Sequence, residues 1–157
     1  MSKAKIQEDP QVMVADDPEV GTTGQVIDPR GIDHPKHYNS HPSGLEVIVL
    51  LDDMTANIGN VTKYILRHVL KDGFKDAKKA VWYAERAVSN HELDTFMPWS
   101  VRGRRLQHNL QRFIDTESDR RVQRILLQIW DAYYHHGRLE PVLGACTELV
   151  KQLTPAD

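Results

Sequence analysis

Apolar residues recur with a helical period through the middle of the chain. At 100° per residue, Val61, Ile65 and Val69 fall within about 60° of Ile58, as on the buried side of a helix. Residues 56–70 are therefore predicted to form one amphipathic helix. The polar residues on its opposite side are Asn60, Lys63, Tyr64, Arg67 and Lys71.

The other apolar runs predict further helices. Residues 45–51 fit a short strand or a buried helix, and a helix is favoured because the chain offers no second convincing strand to pair with it. More helices are expected over 75–90, over 101–114, from a Ser118-Asp119 cap to Gly137, and over 141–153. We therefore predict an all-α fold, a compact bundle of about five or six helices.

The first thirty residues differ in composition from the rest. They contain three prolines, two glycines and no aromatic residue, and we expect a disordered acidic arm. Residues 1–34 carry seven acids and three bases, a net charge of −4, which leaves +2 for the remainder of a chain whose total is −2. Residues 31–95 are predicted to be a helical domain, and 96–157 a helical C-terminal extension packed on it.

Composition and missing motifs exclude several classes of protein. Cys146 is the single cysteine, so neither an intrachain disulfide nor a cysteine zinc site is expected. The sequence has no secretory-type apolar segment and no apolar run of 18 residues, which predicts a cytoplasmic protein with no membrane partner. It also lacks the P-loop motif and the common motifs of hydrolases and zinc proteases.

The polar face of the 56–70 helix is the main candidate for chemistry. Asn60 and Tyr64 are unusual on a merely solvated face, and no acid lies within one turn to neutralise Lys63 or Arg67. A guanidinium offers a planar fork to phosphate oxygens, and an ammonium offers a mobile point charge. The face therefore suits a phosphate-bearing ligand, with a solvated helix surface as the alternative.

The next helix places Asp76, Lys79 and Tyr83 on one face at spacings of three and four. Asp76 and Lys79 would form a surface ion pair, or Asp76 would hold a metal or a substrate hydroxyl while Lys79 contacts phosphate. Glu46 interrupts an apolar run, so it is expected to pair with Lys63 or Arg67 or to face a pocket.

The loop before residue 45 contains three histidines at spacings of three and four: His34, His37 and His41. A zinc site there would need a fourth ligand, and no metal site is assigned. Contact of His37 and Tyr38 with a base or a phosphate, and a purely structural role for the loop, are the favoured alternatives.

These residues together resemble a known family. The pieces are Pro35-Lys36-His37-Tyr38, Gly44-x-Glu46-x-Ile48, Gly59-Asn60-x-x-Lys63-Tyr64-x-x-Arg67, Lys71 and Asp76-x-x-Lys79-Ala80-x-x-Tyr83. The combination resembles small tailed-phage proteins that are often described as nucleotide kinases without a P-loop. The resemblance covers residues 33–90, and His68 stands where the family usually has a small residue.

The resemblance implies a phage protein in the cytoplasm of the infected host that acts as a (deoxy)nucleoside monophosphate kinase. Its phosphate donor would be ATP or another nucleoside triphosphate, with Mg²⁺ as an optional cofactor. Asp76 would bind that Mg²⁺ or orient a lysine. The implied catalytic residues are Lys63, Arg67 and Asp76. The implied substrate-binding residues are His37, Tyr38, Glu46, Asn60, Tyr64, Lys71, Lys79 and Tyr83.

Two other functions stay open at this point. A non-catalytic module could capture a nucleotide or a nucleic-acid strand on the same face and modulate host metabolism or defence. An all-α nucleotide pyrophosphohydrolase is less favoured, because its carboxylates would have to cluster and the acids here are scattered along the pattern. The sequence allows a homo-oligomer without requiring one.

Overall fold

Six α-helices make up most of residues 40–70 and 73–155, the part of the chain that the computed structural model describes, and no strand occurs within those ranges. Their bounds are α1 Ile48–Leu51, α2 Ala56–Arg67, α3 Gly73–Ser89, α4 Val101–Thr116, α5 Arg120–Asp131 and α6 Glu140–Leu153. A π-helical segment, Ala132–His136, continues α5. The prediction of an all-α fold is confirmed. The arm over residues 1–30 lies outside the described residues.

Two predicted helices are shorter in the structure. The first begins at Ile48 instead of Leu45, and α2 ends at Arg67 because the chain then enters a turn in which Leu70 N donates to Arg67 O at 2.9 Å. This turn takes Val69 out of the helical period. Its side chain is 63% exposed, so the expectation that it lies on the buried side is wrong.

The core forms where α2 and α3 pack against each other and α3 also packs along α6. Ile58, Val61 and Ile65 of α2 are fully buried, as the period predicted. Helix α3 presents a row of alanines to its neighbours, and small side chains let helix axes approach closely. The buried members of that row are Ala77, Ala80, Ala84 and Ala87.

Residues far away in the sequence hold the start of α2. The Thr55 side chain makes no cap bond, and its backbone N–H donates instead to the Tyr133 hydroxyl at 2.9 Å. The Glu92 carboxylate accepts from Asn57 N at 2.8 Å and from Ile58 N at 3.0 Å. Because a helix leaves its first N–H groups without intrahelical partners, these bonds fix where α2 begins and how it is oriented.

The basic start of α4 serves the fold. Arg102 donates to Asp53 O at 2.8 Å and to Met54 O at 2.7 Å, in the turn between α1 and α2. Arg105 pairs with the carboxylate of Asp53, which is 1% exposed. These arginines therefore tie α4 to the turn that precedes α2.

Candidate functional site

The end of α2 and the first half of α3 bring several predicted residues into contact around one aromatic ring. Lys63 Nζ lies 4.8 Å from the centroid of the Tyr64 ring, Arg67 Cζ lies 5.0 Å from it, and Lys79 Nζ lies 5.1 Å from it. Tyr83 stacks beside Tyr64 with centroids 5.7 Å apart and planes at 17°. We call this surface the α2–α3 basic face: Lys63, Tyr64, Arg67, Asp76, Lys79 and Tyr83.

Asp76 anchors two of the three cations. Its side chain is fully buried, and Arg67 donates to both of its oxygens, through Nε and Nη2, at 2.8 Å each. Lys79 Nζ reaches Asp76 Oδ1 at 3.3 Å. The hydrogen bonds from Arg67 lower the pKa of Asp76 below its usual value, because they outweigh the cost of burying the carboxylate. Asp76 is therefore a buried anion that orients Arg67 and Lys79.

Lys63 is the least compensated cation of this face. Its pKa is lowered, first by partial burial and then by the neighbouring charge of Arg67, and the attraction of Asp76 offsets this only in part. Lys63, Arg67, Lys79 and Asp76 together carry a net charge of +2 when all four are ionised. An anion bound beside Lys63 would favour its charged form.

The spacing of α2 explains why these side chains meet. Lys63 and Arg67 are four residues apart and flank Tyr64, which places all three on one side of the helix. Asp76, Lys79 and Tyr83 repeat this spacing on α3, and the α2–α3 packing brings the two sides together. Both helices therefore contribute charge and aromatic surface to one place.

The remaining predicted site residues are Asn60, Glu46, His37, Tyr38 and Lys71. Asn60 Nδ2 donates to Ala56 O of its own helix at 3.0 Å. Glu46 is partly buried and precedes α1, and its predicted pairing with Lys63 or Arg67 stays a prediction. His37, Tyr38 and Lys71 lie outside the described residues, so their roles also stay predictions.

The contacts of His41 indicate a structural role. Its ring stacks on Phe113 with centroids 4.2 Å apart, and its Nε2 lies 3.1 Å from Glu117 Oε2. Its Nδ1 accepts a hydrogen bond from Ser43 N at 3.1 Å, so the neutral ring donates to Glu117 through Nε2. Since both nitrogens are engaged, His41 is not placed to be a zinc ligand. His34 and His37 lie outside the described residues.

Asp76 does not fit the role of a magnesium ligand. Mg²⁺ needs accessible carboxylate oxygens and keeps several waters in its shell. The Asp76 carboxylate is fully buried, and its oxygens already accept from Arg67 and Lys79. Of the two roles considered for Asp76, orienting a basic side chain is the one that the contacts favour.

The polar-face pattern did not reveal that the aromatic surface continues along α3. Trp82 meets Tyr83 edge-on, with centroids 4.8 Å apart, and Arg86 Cζ lies 4.9 Å above the Trp82 ring. The spacings of three and four from Lys79 to Trp82 and Arg86 could have indicated this, because they place all three on one stripe of the helix.

Residues 32–85 match the model of a family described as a protein of unknown function, DUF3310. The match includes the whole of α2 and the part of α3 that carries Asp76, Lys79 and Tyr83. No curated protein and no solved structure matches the chain. None of the helices in the described ranges combines the length and the apolar character needed to cross a bilayer.

Proposed function

We propose that the α2–α3 basic face binds the phosphate groups of nucleotides and that the protein is a (deoxy)nucleoside monophosphate kinase. The observation that carries the proposal is the convergence of three cations on Tyr64, within 5.1 Å of its ring centroid, with one buried carboxylate orienting two of them. A phage origin and action in the cytoplasm of the infected host belong to the same proposal and rest on the sequence resemblance.

The reaction would need little beyond charge and position. An oxygen of the acceptor monophosphate attacks the γ-phosphorus of the triphosphate and forms a new P–O bond. The bond between the γ-phosphorus and the oxygen that bridges to the β-phosphate breaks. The products are two nucleoside diphosphates. Because the attacking phosphate oxygen is already ionised, no general base is required, and catalysis consists mainly of stabilising charge on the transferring group.

Within this scheme, Lys63 and Lys79 contact phosphate oxygens. Arg67 adds its charge at the Tyr64 ring, while its Nε–Nη2 edge remains paired with Asp76. Tyr83 offers a ring to the base beside the phosphate-binding side chains. His37, Tyr38 and Lys71 are further candidates to complete the site, Lys71 as a third phosphate-binding residue.

The test is to incubate the protein with ATP and each monophosphate in turn and to measure diphosphate by chromatography. The Lys63→Met variant removes the least compensated charge and keeps much of the apolar side chain. Loss of one such charge should lower kcat/KM about 100-fold or more. Lys151→Met, an exposed change on α6, is the matched control and should keep wild-type turnover. Full turnover in Lys63→Met, or none in the wild type, would overturn the kinase proposal.

A non-catalytic nucleotide-binding module is the second candidate. The observation favouring it is that the carboxylate of this face, Asp76, is already paired with Arg67 and Lys79. The cations and aromatic rings of the face suit nucleotide binding as well as they suit catalysis. Calorimetric titration with mono-, di- and triphosphates distinguishes the two. Lys63-dependent binding without any diphosphate product would support the module and reject the kinase.

A further inference from the structure

An exposed aromatic and cationic pair extends the α2–α3 basic face along α3. Trp82 is 52% exposed, although it contacts Tyr83 on one side and Arg86 on the other. Half of the indole surface is therefore open to a ligand. Its position next to Tyr83 makes the stacked pair Tyr64–Tyr83 into a series of three rings.

The cations along α3 follow the same stripe. Lys79, Trp82 and Arg86 are separated by three and four residues, so they share one side of the helix. At 1.5 Å per residue, Lys79 and Arg86 lie about 10 Å apart along the axis. Lys79 Nζ lies at the Tyr64 ring and Arg86 Cζ lies at the Trp82 ring, so the two charges accompany different rings. The stripe therefore suits a ligand in which phosphate and ring repeat.

We infer that the extended face, Tyr83 to Arg86, binds a short single-stranded oligonucleotide that carries a terminal phosphate. The inference rests on the proposed function in placing the terminal phosphate at Lys63 and Lys79 and the first base at Tyr83. The second base stacks on the open part of Trp82, and the phosphate between the two nucleotides lies at Arg86. Alternating rings and cations along a groove are the usual means of binding a single strand.

A single strand fits better than a duplex. Duplex bases are stacked on one another, so a duplex would contact the cations with its backbone and leave the Trp82 ring exposed. Bases of a single strand are free to stack on aromatic side chains, and one such contact raises affinity by about fivefold to about 150-fold.

The test is a calorimetric titration with thymidine 5′-monophosphate and with 5′-phosphorylated oligothymidylates of two and four nucleotides. The wild type should bind the dinucleotide at least about fivefold more tightly than the mononucleotide. Trp82→Ala should abolish this gain and leave the mononucleotide affinity unchanged. The matched control is Trp99→Ala, because Trp99 is 79% exposed and lies in the segment before α4; it should behave as wild type.

Arg86 gives a second, independent measurement. Arg86→Ala should reduce the slope of log Kd for the tetranucleotide against log salt concentration. The reduction should match the loss of about one phosphate contact. Arg124→Ala, an exposed change on α5, should leave that slope unchanged.

The outcomes separate this inference from the kinase proposal. Equal affinity of the wild type for one and two nucleotides, or an undiminished gain in Trp82→Ala, overturns the inference and leaves the kinase proposal standing. Tighter binding of a duplex than of a single strand also overturns it. A gain that depends on Trp82 in a protein that makes no diphosphate supports the inference and rejects the kinase.

Discussion

Replacing Asp76 with asparagine should destabilise the fold strongly, because it removes the buried carboxylate that pairs with Arg67. Asp76 is fully buried and Arg67 is 13% exposed, so little water can compensate for the lost pair. Breaking a buried ion pair by removing one partner costs about 3–5 kcal/mol. The two bonds from Arg67, at about 1.5–3 kcal/mol each for charged groups, give a similar sum. Since Arg67 retains some access to solvent, we expect about 3 kcal/mol.

The assay is urea unfolding at neutral pH, followed by far-UV circular dichroism and fitted to a two-state transition. A loss of about 3 kcal/mol is a large share of a typical stability of about 5–15 kcal/mol. Asp131→Asn is the control, since Asp131 is 41% exposed and pairs with an exposed histidine, and it should cost less than about 0.5 kcal/mol. If Asp76→Asn unfolds within about 1 kcal/mol of wild type, the counterion role is refuted.

The pH dependence of the unfolding free energy tests the same ion pair. The pKa of Asp76 in the folded protein is below the usual 3.8. Its stabilisation is therefore fully present above the unfolded-state pKa and is lost as pH falls through the lowered folded-state value. Asp76→Asn should lower the plateau at neutral pH and flatten the acid side of the stability curve. A variant that loses stability with acid as steeply as wild type would contradict this assignment.

Three further predictions concern separate features. Lys63→Met should leave the free energy of unfolding unchanged or raise it, because the Lys63 ammonium is partly buried and repelled by Arg67. Urea unfolding in low salt measures this free energy, and a loss above about 1 kcal/mol would contradict the prediction. Tyr133→Phe should cost about 1–3 kcal/mol in the same assay, since Thr55 N loses its acceptor, and an unchanged midpoint would be the contrary result. Burial raises the pKa of the Cys146 thiol to about 12. The thiol should therefore react with a thiol reagent slowly in the native protein and rapidly in denaturant. Equal rates would show that the thiol is accessible in the native protein.

Most of the face could be predicted from the sequence because its contacts are local in the helices. Lys63, Tyr64 and Arg67 lie within one turn of α2, and Asp76 and Lys79 lie within one turn of α3. A helical period is enough to place such residues side by side. The contact between the two groups follows from two amphipathic helices that are close in the sequence and must pack their apolar sides together.

The support of this face could not be read from the same pattern. Glu92 and Tyr133 reach the start of α2 across 34 to 78 residues of sequence, and no local periodicity predicts which distant group completes a helix end. Arg102 and Arg105 bind backbone carbonyls and a buried carboxylate of the α1–α2 turn, about 50 residues away in the sequence, and no local pattern indicated these partners. Such pairings depend on the tertiary packing of α4 and α5.

The role of Arg67 changes most between sequence and structure. The sequence suggested a phosphate-binding residue, but the structure makes it the principal partner of a buried carboxylate. Arg67→Ala would leave the buried Asp76 paired with Lys79 alone, and Asp76→Asn would remove the carboxylate that Arg67 binds, so neither single variant separates function from folding. Replacing both by apolar residues of similar size removes the desolvation cost of both charges and should restore much of the stability. Lys63 is free of this coupling, since its charge opposes folding and favours an anion. Function on this face is therefore best tested at Lys63, and the architecture that presents it is best tested at Asp76.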